Sequence, residues 1–335
     1  MKLCVLGAGC WGLAITKLLT GRFDKITVWG RTQDLSEDLI KYKRTVKPLE
    51  IQLDADIEIT DNMEQAAAGA EIILLAVSTP GVRSVCSQLK AAGFKNSQIL
   101  VNLSKGLELP SLKRMSEVIK DELPASRLVI LSGPTLAKEI LAGCPTAACA
   151  ASDDIEAAEF IQKHLTVPSK FRLYTNTDVI GVELGGSLKN VIAIASGFAD
   201  AMNLGFNCRG ALLARGMAEI VRIASALGAE PMTLYGLSGM GDLIATCSSP
   251  SSRNYSAGYM LGKGKKIDDI QKELGSAAEG IKTSKAVCLL AEKLNIDVPV
   301  SSAVYEAVYT DITPEEVLNK LMNRKLKKEE AYRQR

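Results

Sequence analysis

The stretch "KLCVLGAGCWGLAITKLLTG", residues 2–21, decides the fold. A short apolar run ends in glycine and gives way to helical spacing of Leu13, Ile15, Leu18 and Leu19. "KITVWGR" at 25–31 follows as a second β-rich run, so strand, glycine turn, helix and strand form a βαβ unit. Gly7, Gly9 and Gly12 spell G-x-G-x-x-G at the strand-to-helix turn. Gly7 permits the tight turn, Gly9 lets backbone approach a pyrophosphate, and Gly12 allows close packing of helix on strand. The helix N-terminus offers amides to the anion. An ordinary glycine turn is the competing reading of such a motif; the βαβ context argues for a dinucleotide site.

The alternation continues. "AEIILLAVS" (70–78), "SQILVNLSKG" (97–106), "RLVILSGPT" (127–135), "PTAACAAS" (145–152) and "KFRLYTN" (170–176) read as strands. "PGVRSVCSQLKAAG" (80–93), "PSLKRMSEVIKDEL" (110–123) and "LAKEILAG" (136–143) read as helices between them. This pattern predicts a doubly wound, Rossmann-type, mostly parallel sheet covered on both faces, with ligand beyond the C-terminal strand ends. Ser78-Thr79-Pro80, Ser104-Lys105-Gly106 and Ser132-Gly133-Pro134-Thr135 stand at those ends. From about Asp178 the β signal gives way to helical periodicity. The expectation is therefore an α/β protein with a dinucleotide-binding domain at 1–177 and an all-helical substrate and catalytic domain at 178–335. Two glycine- or serine-rich segments, "GLSGMGDLIATC" (236–247) and "SSPSSRNYS" (248–256), read as loops interrupting the helices. Arg253 and Asn254 in the second, amid hydroxyl side chains, suit a phosphate; a solvated polar loop is the alternative.

Composition narrows the function classes. The 335 residues are 47% hydrophobic and 23% charged with net charge +2, so no global basic field draws nucleic acid or an anionic membrane. Residues 179–198 come nearest to a membrane span, but Glu183 and Lys189 interrupt them. The run 323–335 reads as a solvated helix end or frayed tail. The opening residues lack a secretory pattern. The eight cysteines contain no C-x-x-C pair, so no zinc site, metal centre or disulfide framework is expected, and a cytoplasmic location is. The single histidine, His164, lies in a polar helical pattern and is a poor proton shuttle by context. Attention passes to Lys189 in "LGGSLKNVIAIASGF" (184–198), a cation among small apolar residues. Either it snorkels, or its amine does chemistry in a cleft. Gly185 and Gly186, one turn earlier, are expected to leave room over that face for a substrate or nicotinamide.

Taken together, "GAGCWG" (7–12), "LSKGLE" (103–108), "SGPT" (132–135), "VELGGSLKNVIAIASG" (182–197), "GLSGMGDLIATC", "SRN" (252–254) and "AEG" (278–280) resemble the bacterial-type NAD(P)-dependent sn-glycerol-3-phosphate dehydrogenases, in order along nearly the whole chain. The resemblance implies reduction of dihydroxyacetone phosphate to sn-glycerol 3-phosphate for phospholipid synthesis, a cytoplasmic homodimer, and Lys189 as proton donor or acceptor. It implies Lys105 at both substrate and cofactor and in the catalytic set with Asp242, and substrate contacts from Gly133, Thr135, Lys189, Asp242, Ser252, Arg253 and Asn254. The cofactor side comprises the three glycines, Cys10, Trp11, Arg31, Lys105, Ala137, Arg253 and Glu279. Cys10 stands where serine or asparagine is common in the family. Physics agrees: an alkoxide left by hydride attack needs a proton, and without a well-placed histidine an amine must give it. Burial and a second cation such as Lys105 tune that amine and stabilise the oxyanion.

Arg31 rather than an acid ends the second strand, with Asp34 placed beyond it, so NADPH is expected to serve at least as well as NADH. A hydroxy-acid dehydrogenase with a catalytic lysine, and a non-enzymatic nucleotide sensor, are the rival readings; turnover of the phosphorylated triose separates them.

Overall fold

The computed structural model describes residues 1–274, 278–326, 328 and 329. The chain divides into two compact units, 1–108 with 113–179, and 109–112 with 180–335.

The first unit holds ten strands: β1 (Lys2–Leu6), β2 (Lys25–Trp29), β3 (Arg44–Thr45), β4 (Ile51–Gln52), β5 (Glu58–Thr60), β6 (Ile72–Leu75), β7 (Ile99–Asn102), β8 (Arg127–Ser132), β9 (Thr146–Ala151) and β10 (Phe171–Asn176). Its helices are α1 (Cys10–Leu19), α2 (Glu37–Tyr42), α3 (Met63–Ala67), α4 (Val82–Ala91), α5 (Met115–Glu122), α6 (Ala137–Leu141) and α7 (Ile155–Leu165). Eight strands form one sheet in the order β10-β9-β8-β7-β6-β1-β2-β5, and β3–β4 is a separate small hairpin. All neighbours run parallel except β8 and β9, which pair antiparallel with Ser132 opposite Cys149. The order reverses direction at β1: the chain winds outward through β2 to β5, then crosses back to β6 on the other side of β1, and such a switch point is where doubly wound sheets bind ligands. The central strands are buried on both faces: Leu3, Cys4, Val5 and Leu6 of β1, and all four residues of β6, are at most 1% exposed. Each fully buried Leu or Ile contributes about 1.5–3 kcal/mol, which is why a continuous apolar run is needed there.

The sequence reading found seven of these strands and passed over β3, β4 and β5, which are two or three residues long and half-exposed. The helix expected from Pro110 begins only at Met115, where Glu117 Oε2 accepts the Arg114 amide at 2.8 Å.

The second unit is helical: α8 (Val179–Ala201), α9 (Gly205–Ala226), α10 (Asp242–Ser248), α11 (Arg253–Gly262), α12 (Ile267–Leu274), α13 (Glu279–Leu294), α14 (Pro299–Tyr309) and α15 (Pro314–Met322). Long and apolar enough to cross a membrane, α8 has 83% of its most apolar window buried inside the protein, which makes it a core helix. Its glycines allow backbone contact. A Cβ at Gly197 would sit 1.9 Å from the Tyr255 carbonyl oxygen, and one at Gly258 of α11 the same distance from that of Ile194. The α8–α11 crossing therefore exists only because both positions are glycine.

The two segments read as loops are corrected. Leu237–Gly241 is a π-helical turn that runs directly into α10, and Ser252 caps α11, its Oγ accepting the Tyr255 amide at 3.3 Å. Their glycines and prolines look like loop punctuation, but Gly239 serves close packing on Leu234 and Asp242 opens a helix. Thr313 and Glu316 form a capping box at the start of α15, which ends at Met322. Of the charged run 323–335, residues 327 and 330–335 lie outside the described residues.

Candidate active site

In the first unit the glycine turn is built from two packed positions and one open one. Gly7 has φ +123°, and a Cβ there would fall 2.5 Å from the Ala76 carbonyl oxygen; one at Gly12 would fall 2.0 Å from that of Gly7. Gly9, the N-cap of α1, has no heavy atom within 4 Å of a would-be Cβ. That opening faces the first turn of a ten-residue helix, whose amides lack intrahelical acceptors. A pyrophosphate fits this donor set, so the fingerprint residues suit the dinucleotide. Cys10 and Trp11 are the first two residues of α1, both half-buried. Ala137 opens α6, which packs against α1.

Lys105 lies just past β7 and joins the three loops at the strand ends. Its Nζ donates to the Gly133 carbonyl at 2.9 Å and to Thr135 Oγ1 at 3.4 Å. Its own carbonyl accepts from Thr79 Oγ1 at 3.3 Å, and Ser104 Oγ donates to the Val77 carbonyl at 2.6 Å. The ends of β6, β7 and β8 are thus clasped, with an ammonium at their centre.

In the second unit, Lys189 is 5% exposed at the middle of α8. Its Nζ donates to Asp242 Oδ1 at 2.9 Å and to Thr246 Oγ1 at 2.5 Å, and Thr246 Oγ1 also donates to Asp242 Oδ1 at 3.1 Å. Asp242 and Thr246 stand one turn apart on α10 and face α8 together. This rules out snorkelling: the head of Lys189 is buried on a carboxylate. Gly185 has a different task from the one expected. A Cβ there would meet the Ser238 carbonyl oxygen at 2.9 Å and Gly239 Cα at 3.0 Å, so its space holds the turn that leads to Asp242, not a ligand.

Arg253 and Asn254 open α11. Arg253 is exposed and makes no ion pair among the described residues. Asn254 is buried, and its Oδ1 accepts the Gly280 amide at 2.9 Å, tying α11 to the first turn of α13, where Glu279 lies half-buried. A Cβ at Gly280 would fall 2.6 Å from the Asn190 carbonyl oxygen, so α13 also approaches α8 one residue past Lys189. Ser252 is committed as a cap.

Asp34 lies beyond β2 as expected, in the 3-10 turn Thr32–Asp34, and from there it holds the Arg31 guanidinium by two hydrogen bonds. Thr246 has no signal in the sequence, because a hydroxyl on a helix carries none until its neighbours are known. Among the described residues, no group of His, Cys, Asp and Glu could hold a metal ion.

The chain matches the family described as NAD-dependent glycerol-3-phosphate dehydrogenase, its N-terminus over residues 2–158 and its C-terminus over residues 178–319. It is 42% identical over 329 residues to a glycerol-3-phosphate dehydrogenase (NAD(P)+) of Thermoanaerobacter, the match covering 98% of this chain and 99% of that protein. A protein of the same name from Lysinibacillus sphaericus is 43% identical over 332 residues, covering 98% of each chain. The crystal structure of glycerol-3-phosphate dehydrogenase from Coxiella burnetii superposes with a TM-score of 0.90 at 32% identity, over 96% of this chain and 99% of that one.

Proposed function

The chain belongs to the NAD-dependent glycerol-3-phosphate dehydrogenase family, and from that membership we propose which of its residues carry the reaction. It is an NAD(P)-dependent oxidoreductase that reduces dihydroxyacetone phosphate to sn-glycerol 3-phosphate. When bound, the reduced nicotinamide supplies the hydride that adds to the ketone carbon. Lys189 gives the proton from Nζ to the ketone oxygen as that hydride arrives, and takes it back in the oxidation direction. Asp242 stabilises the ammonium and, with Thr246, fixes its rotamer; a preset donor loses little entropy at the moment of transfer. Lys105, held by Gly133 and Thr135, offers a second cation to the oxyanion and the cofactor. Arg253 and the buried Asn254 receive the phosphate, with the start of α11 behind them.

Gly7, Gly9 and Gly12, with Cys10, Trp11, Arg31 and Ala137, serve the dinucleotide. On the family resemblance, Glu279 is also assigned to the dinucleotide. The observation that carries this reading is the buried Lys189–Asp242–Thr246 cluster, since a buried ammonium is costly and serves no packing need. On the family resemblance we also assign a cytoplasmic homodimer, which sedimentation of the purified protein tests.

The experiment compares K189A and R253A with wild type on dihydroxyacetone phosphate. K189A should lower kcat by about 10²–10⁴-fold with cofactor affinity little changed. R253A should raise KM by about ten- to a hundredfold, and affect unphosphorylated dihydroxyacetone far less. Near-normal turnover by folded K189A removes Lys189 from the chemistry, and equal losses on both substrates by R253A remove the phosphate contact.

A further inference from the structure

Past the end of β2, a carboxylate is set against Arg31. Gly30 lies against the glycine turn: a Cβ there would fall 3.2 Å from the Ala8 Cβ and 2.5 Å from Leu35 Cδ2. Arg31, next in the chain, leads into a 3-10 turn, Thr32–Asp34. That turn is pinned on both sides of Arg31. Thr32 Oγ1 donates to Asp61 Oδ2 at 2.8 Å, and Trp29 Nε1 donates to the Asp61 carbonyl at 2.9 Å. Asp34 then takes one whole edge of the Arg31 guanidinium, Nε to Oδ2 at 2.6 Å and Nη2 to Oδ1 at 2.9 Å. The side chains are 59% and 41% exposed, so the pair faces solvent beside the dinucleotide turn.

We propose, resting on the NAD(P)-dependence assigned above, that Asp34 is a cofactor-selectivity residue that opposes the adenosine 2′-phosphate and so keeps NADH in use. An arginine recognises phosphate by a two-pronged edge, and the Nε–Nη2 edge is the one Asp34 occupies. A 2′-phosphate with about two negative charges must displace that carboxylate or share the guanidinium with it, well within a Debye length. Asp61, the other carboxylate at this strand end, is held by Thr32 and adds negative charge to the same place. The 2′-hydroxyl of NADH meets no such repulsion, and a carboxylate can accept its hydrogen bond. Arg31 alone would make the site one for NADPH; the Arg31–Asp34 pair makes it tolerant of both.

The test is titration of the full-length protein with NADPH and with NADH, read by reduced-nicotinamide fluorescence, for wild type, D34A and D34N. Both side chains are largely at the surface, and D34N keeps the shape of the original. The expected result is a Kd for NADPH about three- to tenfold lower in both variants, with that for NADH unchanged or higher. A ratio of the two Kd values that stays put, or moves toward NADH, overturns the selectivity role. A wild-type protein that binds neither cofactor overturns the dinucleotide reading itself, and the two failures are told apart in one data set.

Discussion

Removing Asp242 strands the Lys189 ammonium. The pair is 2.9 Å apart with side chains 7% and 2% exposed, so water cannot replace the lost carboxylate. Breaking a buried pair from one side costs about 3–5 kcal/mol. Against a total stability of about 5–15 kcal/mol, D242A should lose about a fifth or more of its margin. Truncation also opens a cavity, so the charge is isolated by comparison with K189M/D242A, which has the same cavity and no buried ammonium. The double variant should recover about 2–3 kcal/mol relative to D242A at pH 7. The gap should narrow as pH rises toward about 10, because an unpaired buried lysine sheds its proton more readily than an unfolded one. Urea unfolding is followed by circular dichroism at 222 nm, since Trp11 and Trp29 both lie in the first unit and fluorescence would not read α8 and α10. A double variant no more stable than D242A refutes the reasoning: the charge would then not be buried against a carboxylate at all.

G185A should reduce kcat by about tenfold while leaving cofactor Kd unchanged, because the Ser238–Gly239 backbone at 2.9–3.0 Å must retreat and draw Asp242 off Lys189; normal kcat in G185A would mean that the turn does not set the lysine. Glu219 offers a pH signature. Its carboxylate, 1% exposed, caps α14 by accepting the Val300 amide at 2.6 Å and the Ser301 amide at 3.0 Å. Burial pushes its pKa up, and those amides pull only partly back. A raised carboxylate pKa gives stability that is full below the unfolded value, about 4.3, and lost as pH rises through the folded one. E219Q should therefore gain stability relative to wild type as pH rises above the unfolded value, about 4.3, in urea titrations; a difference independent of pH would show that Glu219 ionises alike in both states.

The sheet was legible because its signals are local. Four-residue apolar runs bounded by turn residues signal strands buried on both faces, and Gly12 is demanded by the Gly7 carbonyl within the same turn, whereas Gly7 itself is demanded by Ala76 just past β6. β5 was illegible for the opposite reason: Glu58, Ile59 and Thr60 gain their pairing only from β2, some thirty residues earlier. In the site, Lys189 was visible as a charge out of place, and Arg253 and Asn254 as polar groups in a polar setting. What each touches was not visible. The three glycines around Asp242 suggest a loop where the chain forms α10, and Asp34 lies after the strand as expected but shows its hold on Arg31 only in the structure.

The glycines of α8 show how a motif can single out Lys189 while the room it suggests beside Gly185 is absent. A lysine among small residues suggests empty space beside it for a ligand. The space is instead filled by backbone: Gly185 admits the turn before α10, and Gly197 admits α11 at Tyr255. Each close approach delivers a polar group that α8 itself does not carry. The first brings Asp242 and Thr246 onto Lys189; the second sets the α11 turn that bears Arg253 and Asn254. Larger side chains at those positions would hold the neighbouring helices off by an ångström or more, beyond the reach of a 2.9 Å hydrogen bond. The small residues are thus needed for the same reason as the lysine. They let Asp242, Thr246 and the start of α11 close on α8, and they also give it the apolar composition of a membrane span while it lies in a core.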